Sequence, residues 1–377
     1  MTSGRPRAYT DPVNPATRSK SPRMLLMGDA RQVHLRRWAM YFMDAGYDVL
    51  TLSLEPGDGF PGPFRRIRVW GGLPDAARYP LAALRVRRII SDFIPDVVSA
   101  HFAPNYGLIA ALVCRRPWVL SAWGSDVMTD PDKSPFHRRR TQFVLKRAAF
   151  VTSDARVLTE RILSFGVAEE RVREFPYGVD TALFRPNPQP QARGPRIISN
   201  RKLETLYAVD TAVDAMAAVR EALPDATLTI AGDGRERRAL ERRAASSHAA
   251  EAISFAGPVA HAEMPALLAD HHIYVSTARS DTTSVSLLEA MACGLFPVVT
   301  DIPANREWIT DGENGRLVPP GEALRLAVAV VDSWRDAELR GRARGINLRI
   351  IDERARWDWS MRPARQLFDM LATDVDS

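Results

Sequence analysis

The segment Ser280–Gly294 (SDTTSVSLLEAMACG) places two carboxylates and a run of hydroxyls beside an apolar stretch. Asp281 and Glu289 stand eight positions apart, with most of the hydroxyls between them. Ser284 is a favourable N-cap, because its side chain can accept a hydrogen bond from a free backbone N–H of the first turn. We therefore predict a helix over Ser284–Cys293, with Asp281 in the loop before it.

The start of this helix has the chemistry of an anion site. The free N–H groups of Val285 and Ser286, together with the positive end of the helix dipole, suit a diphosphate. Glu289 lies on the second turn and can accept hydrogen bonds from a vicinal diol. A capped core helix would explain the leucines of the segment, but not an acidic residue within the apolar run. The segment therefore favours a ligand site.

The rest of the chain alternates short apolar runs with amphipathic stretches. In the first half we predict a helix over Ala30–Ala45 and strands at Arg23–Met27, Asp48–Leu54, Ile67–Trp70, Asp96–Phe102, Trp118–Trp123 and Phe150–Ser153. In the second half we predict strands at Arg196–Ser199, Ala226–Ala231, Ile253–Ala256, Ile273–Ser276 and Phe296–Thr300. Helices are predicted between them, over Tyr207–Ala222, Arg235–Ser246 and Glu263–Ala269, and after them over Glu322–Trp334. Strands that alternate with helices in this way indicate doubly wound parallel sheets.

The 377 residues are enough for two such α/β domains. The boundary is predicted at 184–195, a stretch with four prolines and almost no apolar side chains. This divides the chain into a disordered tail (1–22), a first domain (23–183), the linker, a second domain (196–345) and a C-terminal helical segment (346–377). The amphipathic part of that segment, Arg362–Leu371, should pack back on the first domain. A ligand is expected in the cleft between the domains, at the carboxyl ends of the strands.

Several classes of protein are excluded by what the sequence lacks. No stretch approaches the roughly 18 apolar residues that span a bilayer, and the first 22 residues contain no apolar signal region. Only two cysteines occur, so we expect a reducing, cytoplasmic compartment. Zinc spacings, phosphate-binding P-loops and serine-nucleophile elbows are absent. Asp130-Pro-Asp132 has the form of a metal-binding Asp-x-Asp, but it lies between proline-broken loops and is interpreted as a solvated turn.

The net charge is +6, and the excess is concentrated in the first half. The basic clusters are Arg65, Arg66 and Arg68; Arg85, Arg87 and Arg88; and Arg138, Arg139 and Arg140 with Lys146 and Arg147. Two interpretations stay open: a solvated face, or attraction to an anionic membrane or a phosphorylated acceptor. No nucleic-acid module accompanies the charge, so nucleic acid is not expected as a partner.

The segment Asp281–Glu289 resembles the glutamate–seven–glutamate motif of retaining glycosyltransferases of family 4, which have the GT-B fold of two Rossmann-like domains. The resemblance covers nearly the whole chain. It implies that Glu289 holds the ribose of a sugar nucleotide, that Asp281 contacts the donor sugar and that the amides between them bind the diphosphate. Asp281 is one methylene shorter than the family's glutamate, and Ser284 replaces its usual glycine.

Other stretches resemble the same family. Arg201, at a strand end, implies a contact with the donor diphosphate, since a guanidinium forks onto phosphate oxygens. Tyr207 stands near the place of the family's lysine, for which the neighbouring Lys202 could substitute. The resemblance implies a donor-binding set made of Gly28, Arg201, Lys202, Gly232, Gly234, Val259, Ser284, Val285, Ser286 and Glu289.

Two features concern the acceptor side. His101 ends a predicted strand at a position where family members commonly carry histidine. Trp123-Gly-Ser-Asp126 resembles a His-Gly-Ser-Asp stretch in which tryptophan has replaced the histidine. Either Asp126 and His101 make the polar contacts, or Trp123 stacks on a sugar ring. The predicted catalytic residues are His101, Asp126 and Asp281.

The sequence thus leads to the hypothesis of a metal-independent, retaining transferase. It would move a hexose from a UDP-, GDP- or similar donor to a glycan or lipid-linked acceptor, in cell-envelope polysaccharide or glycolipid synthesis. Helix N-terminal amides and Arg201 would offset charge on the leaving diphosphate, as a cation does elsewhere. The alternatives are a sugar-nucleotide epimerase of the same architecture and a non-catalytic sugar-nucleotide-binding protein.

Overall fold

The computed structural model describes residues 21–69, 75–186, 188 and 191–373, so residues 1–20 of the predicted tail lie outside the described residues. The first sheet has seven strands in the order β3-β2-β1-β4-β5-β6-β7, with parallel pairing from β3 to β6. Its strands are β1 (Arg23–Met27), β2 (Asp48–Ser53), β3 (Phe64–Arg66), β4 (Val97–His101), β5 (Trp118–Ser121), β6 (Phe150–Ser153) and β7 (Val172–Glu174).

The second sheet has six parallel strands in the order β10-β9-β8-β11-β12-β13. They are β8 (Arg196–Ser199), β9 (Thr227–Ala231), β10 (Ile253–Gly257), β11 (Ile273–Ser276), β12 (Phe296–Thr300) and β13 (Arg316–Val318). Both sheets have the strand order of a Rossmann-like fold, as predicted.

Helices connect most of the strands. The first are α1 (Val33–Asp44), α2 (Asp75–Phe93), α3 (Leu108–Val113), α4 (Ser125–Met128), α5 (Pro135–Arg147) and α6 (Arg156–Ser164). After β8 come α7 (Val209–Ala222), α8 (Arg237–Ala245), α9 (Met264–Ala269), α10 (Val285–Ala292) and α11 (Pro303–Arg306). The chain then continues through α12 (Ala323–Arg335), α13 (Ala337–Arg354), α14 (Trp357–Ser360) and α15 (Arg362–Thr373). None of the described helices is both long enough and apolar enough to cross a membrane.

The third strand was placed wrongly by the sequence. The run Ile67–Trp70 was predicted from its apolar residues, but the strand is Phe64–Arg66, paired with β2 through Thr51 and Phe64. It forms the edge of the sheet, and Arg65 and Arg66 are exposed. Charged side chains are typical of edge strands, which is why the apolar pattern misplaced it.

The last helix returns to the first sheet, as predicted. The Phe368 ring of α15 meets the Phe42 and Trp38 rings of α1 at centroid distances of 5.0 and 6.0 Å. The Tyr47 hydroxyl donates to an Asp369 carboxylate oxygen over 2.7 Å. Aromatic packing and one partly buried hydrogen bond therefore join α15 to α1 and to Tyr47 within one compact unit.

The chain separates into two compact units. One contains the described residues of Met1–Ala122, Pro131–Thr152 and Pro363–Ser377, and the other contains Trp123–Asp130 and Ser153–Arg362. Phe184, the first residue of the predicted linker, is buried in the core of the second unit. The predicted domain bounds stay a prediction.

Candidate functional site

The site is built around the amino end of α10. The helix begins at Val285, and Ser284 is its N-cap, with the Ser284 hydroxyl accepting a hydrogen bond from Leu287 N at 3.4 Å. Leu287, Leu288 and the following turn are buried in the core, which fixes the helix from its apolar side. The backbone N–H groups of Val285 and Ser286 have no acceptor among the described residues. They are therefore available to an anion.

Arg201 lies just after β8 and reaches this helix start. Its guanidinium donates from Nη1 to the hydroxyls of Ser284 and Ser286 over 2.5 and 2.7 Å. From Nη2 it donates to Asp281 Oδ2 over 2.6 Å. The arginine side chain is only 8% exposed. Burial disfavours its charge, but the Asp281 carboxylate, Tyr274 and Tyr207 together outweigh burial and raise the pKa of Arg201 above its ordinary value.

Two tyrosines complete the surroundings of Arg201. The Tyr207 ring lies 4.3 Å from the guanidinium carbon, in a cation–π contact. The Tyr274 hydroxyl, from β11, is 3.0 Å from the hydroxyl of Ser286. Burial raises the pKa of Tyr207. The sequence places Tyr207 near the position of the family's lysine. It does not identify Tyr274, because a single tyrosine within the strand before the segment Ser280–Gly294 forms no recognisable pattern.

The Gly232–Gly234 turn supports Arg201 through the backbone. A β-carbon on Gly232, which has φ +152°, would lie 2.5 Å from the Arg201 carbonyl oxygen. A β-carbon on Gly234 would lie 2.2 Å from the Leu203 carbonyl oxygen. Leu203 N also donates to the Asp233 carbonyl over 3.0 Å. The two glycines therefore allow two loops to approach closely and hold the arginine in place.

Glu289 lies one turn further along α10, with its side chain 9% exposed. Its Oε1 is 3.1 Å from Nε2 of His261, in the loop after β10. Val259, a member of the predicted donor-binding set, lies two positions before this histidine and is half-buried. His261 was not identified from the sequence, because a single histidine in a loop carries no pattern.

Lys202 differs from its neighbour Arg201. It is exposed, and its side chain makes no hydrogen bond or ion pair with the described residues. The sequence suggested that Lys202 would take the place of the family's lysine. Its exposure leaves it outside the buried cluster formed by Arg201, Asp281, Ser284 and Ser286.

A second group of polar residues lies in the same compact unit. The Asp126 carboxylate is fully buried, and its Oδ1 accepts a hydrogen bond from Trp123 N over 2.9 Å. Asp154 is also buried; its Oδ2 accepts from the Thr282 hydroxyl over 3.0 Å, and its backbone carbonyl accepts from the Thr283 hydroxyl. Burial raises the pKa of Asp154 to about 8. Asp154 thus anchors the loop that carries Asp281, a role that the sequence did not suggest.

Gly28 and His101 lie in the first compact unit, at the carboxyl ends of the adjacent strands β1 and β4. The His101 ring is fully buried, 3.2 Å from the Ser99 hydroxyl and edge-on to the Trp38 ring at 4.9 Å. Burial, with a smaller contribution from His34, lowers the pKa of His101 to about 3. Its imidazole is therefore neutral at physiological pH.

The arrangement in the second unit can bind a phosphorylated diol. Two free amides, two serine hydroxyls and a guanidinium converge at one helix end, which is chemistry for phosphate oxygens. A carboxylate stands a turn away, where it can accept from hydroxyls. Among the residues that the structure describes, no three histidine, cysteine, aspartate or glutamate side chains come together as a metal site.

Both halves of the chain match known families. Residues 195–336 match the family described as "Glycosyl transferases group 1". Residues 23–155 match the family described as "Glycosyl transferase 4-like". The match over residues 195–336 contains most of the residues of the site described above.

Curated relatives include two mycobacterial mannosyltransferases. The GDP-mannose-dependent alpha-(1-6)-phosphatidylinositol monomannoside mannosyltransferase of Mycolicibacterium smegmatis is 26% identical over 76% of this chain and 79% of its own length. The phosphatidyl-myo-inositol mannosyltransferase of Mycobacterium leprae is 28% identical over 75% of each chain.

Solved structures share the fold. Sucrose-phosphate synthase from Thermosynechococcus elongatus superposes with a TM-score of 0.82 at 16% identity, over 94% of this chain and all of its own. The Anabaena protein HepE, in complex with UDP-glucose, gives a TM-score of 0.77 at 18% identity, over 92% of this chain and 99% of its own. At these identities, the likeness concerns the fold alone.

Proposed function

We propose that this chain, which belongs to family 4 of the glycosyltransferases with their GT-B fold and is a hexosyltransferase, transfers its sugar from a nucleoside diphosphate with retention of configuration. The observation that carries the proposal is the convergence of Arg201, Ser284 and Ser286 at the amino end of α10. This cluster suits a diphosphate leaving group. Family membership favours transfer over the epimerase and over the non-catalytic binder.

In the proposed mechanism, the α10 amides and Arg201 stabilise the charge that develops on the departing diphosphate. These groups do the work of a metal ion, so we propose that transfer needs none. Glu289 holds the ribose hydroxyls, and Asp281 contacts the sugar. No enzymatic nucleophile is assigned. The acceptor hydroxyl attacks from the face that the diphosphate leaves and passes its proton to an oxygen of the departing diphosphate, so an α-configured donor gives an α-linked product.

We assign the acceptor to the glycans or lipid-linked glycans of the cell envelope, reached from the cytoplasmic side of the membrane. Support comes from α5, whose Arg138 and Arg139 are exposed. The same helix exposes Phe136 and Phe143, at 62% and 40%. Basic and aromatic side chains together on one helix suit an anionic membrane interface.

The experiment that tests the function uses GDP-mannose, UDP-glucose and UDP-N-acetylglucosamine in a thermal-shift panel, since a donor that binds the native state raises the melting temperature. The stabilising donor is then incubated with glycan acceptors or with phosphatidylinositol vesicles, with and without EDTA. An α-linked product that forms in EDTA supports the whole proposal. An epimerised sugar nucleotide without acceptor would support the epimerase, and binding without turnover would support the binder.

A further inference from the structure

His261 lies where two elements of the proposed donor site meet. It follows Val259 in the loop after β10, and it reaches Glu289 on α10 with a distance of 3.1 Å between Nε2 and Oε1. Its ring packs edge-to-face on Phe184, with 5.2 Å between the ring centroids and an interplanar angle of 62°. Phe184 is only 1% exposed and belongs to the core. The orientation of the imidazole is therefore set by a rigid neighbour.

Glu289 depends on this contact. Its side chain is 9% exposed, and the bond with His261 is the one side-chain hydrogen bond that it forms with the described residues. An ionised carboxylate only accepts, so Nε2 of His261 carries the proton of this bond. A carboxylate has two oxygens and about four lone-pair positions, so one bond to His261 leaves capacity for both hydroxyls of a diol. Without His261, a largely buried carboxylate would have no partner to fix its direction.

We propose that His261 is a positioning residue that orients Glu289 toward the ribose diol and thereby makes the site selective for ribonucleotides over 2′-deoxyribonucleotides. This inference rests on the proposed function, since it concerns the nucleotide of the donor. A ribose offers two adjacent hydroxyls to the carboxylate, whereas a 2′-deoxyribose offers one. A carboxylate held by His261 accepts from both hydroxyls of a ribose. A carboxylate that is free to rotate loses the preference for ribose over 2′-deoxyribose.

The experiment measures the dissociation constants of UDP and GDP and of their 2′-deoxy counterparts by calorimetry. In the wild-type protein we expect the ribonucleotide to bind about tenfold more tightly, because the deoxy compound leaves a charged acceptor without its hydroxyl partner. In His261→Ala this ratio should fall to about two or below, mainly through weaker binding of the ribonucleotide. His261→Gln should restore most of the ratio, because its amide nitrogen can donate from nearly the same place.

His248→Ala is the matched control, since His248 is an exposed histidine of the same compact unit. It should keep the wild-type ratio. A purely structural role of His261 would weaken both nucleotides alike and leave the ratio unchanged, which overturns the inference. If His261→Ala does not fold, His261→Asn takes its place, because the shorter asparagine side chain cannot reach Glu289. A wild-type ratio in this variant also overturns the inference. If the wild-type protein binds neither nucleotide, the proposed function itself fails, and this outcome is distinct from the others.

Discussion

Arg201 and Asp281, which we expect to contact the diphosphate and the sugar of the donor, are bonded to each other at 2.6 Å. Each side chain is less than one fifth exposed, so the pair is not screened as a surface ion pair would be. A diphosphate that engages Arg201 must compete with the carboxylate. When the diphosphate replaces Asp281 as the partner of Arg201, the Asp281 carboxylate becomes available to the sugar of the donor.

Replacing Asp281 by asparagine should therefore affect binding and transfer in opposite directions. The side-chain oxygen of the introduced amide would still accept from Thr282 N, a bond that Asp281 makes at 3.0 Å. Without the competing charge, UDP or GDP should bind roughly fivefold more tightly, which corresponds to about 1 kcal/mol. Transfer should slow by about tenfold or more, because the sugar contact is weakened. Calorimetry and product formation measure the two effects, and weaker nucleotide binding would contradict the proposed exchange.

Removing the carboxylate of Glu289 should have a different signature. Glu289→Ala is expected to weaken binding of the nucleoside diphosphate by roughly tenfold or more, since a hydrogen bond to a charged group contributes about 1.5–3 kcal/mol. Glu251→Ala removes an exposed carboxylate of the same compact unit and is the control. Unchanged nucleotide affinity in the Glu289 variant would remove this residue from the site.

The buried Asp154 predicts a pH dependence of stability. Its pKa in the folded protein is raised to about 8, above the ordinary value of 3.8. Between these values the folded state binds more protons than the unfolded state, so stability falls as pH rises. We expect the wild type to lose roughly 2 kcal/mol relative to Asp154→Asn between pH 6 and pH 8. Apparent melting temperatures of both proteins across this range measure the effect, and parallel curves would contradict it.

The basic helix α5 predicts binding to anionic vesicles. Replacing Arg138, Arg139 and Arg140 by glutamine should reduce binding to phosphatidylglycerol vesicles by about a hundredfold, at roughly 1 kcal/mol for each charge near the surface. The same substitution at Arg238, Arg242 and Arg243 of α8, which are all exposed, removes the same number of charges and provides a control. Sedimentation with vesicles measures binding, and equal losses in both variants would argue for non-specific attraction.

Local patterns in the sequence determined most of the two sheets. Five predicted strands coincide residue for residue with the structure, among them β1, β8 and β12, because each is a short apolar run within a parallel sheet. The strands that were misplaced or missed are β3, β7 and β13, which all lie at sheet edges and contain arginine. An edge strand is selected by the neighbour with which it pairs, and its own residues give little sign of it.

In the site, too, some features follow from local sequence and others from the tertiary structure. The sequence alone determined the cap at Ser284 and the start of α10, because capping involves residues three positions apart. Only the tertiary structure decided that Arg201 is bonded to Asp281, 80 residues away, and Glu289 to His261, 28 residues away. These pairs form because the carboxyl ends of parallel strands bring distant loops together, and no local pattern encodes which side chains then meet.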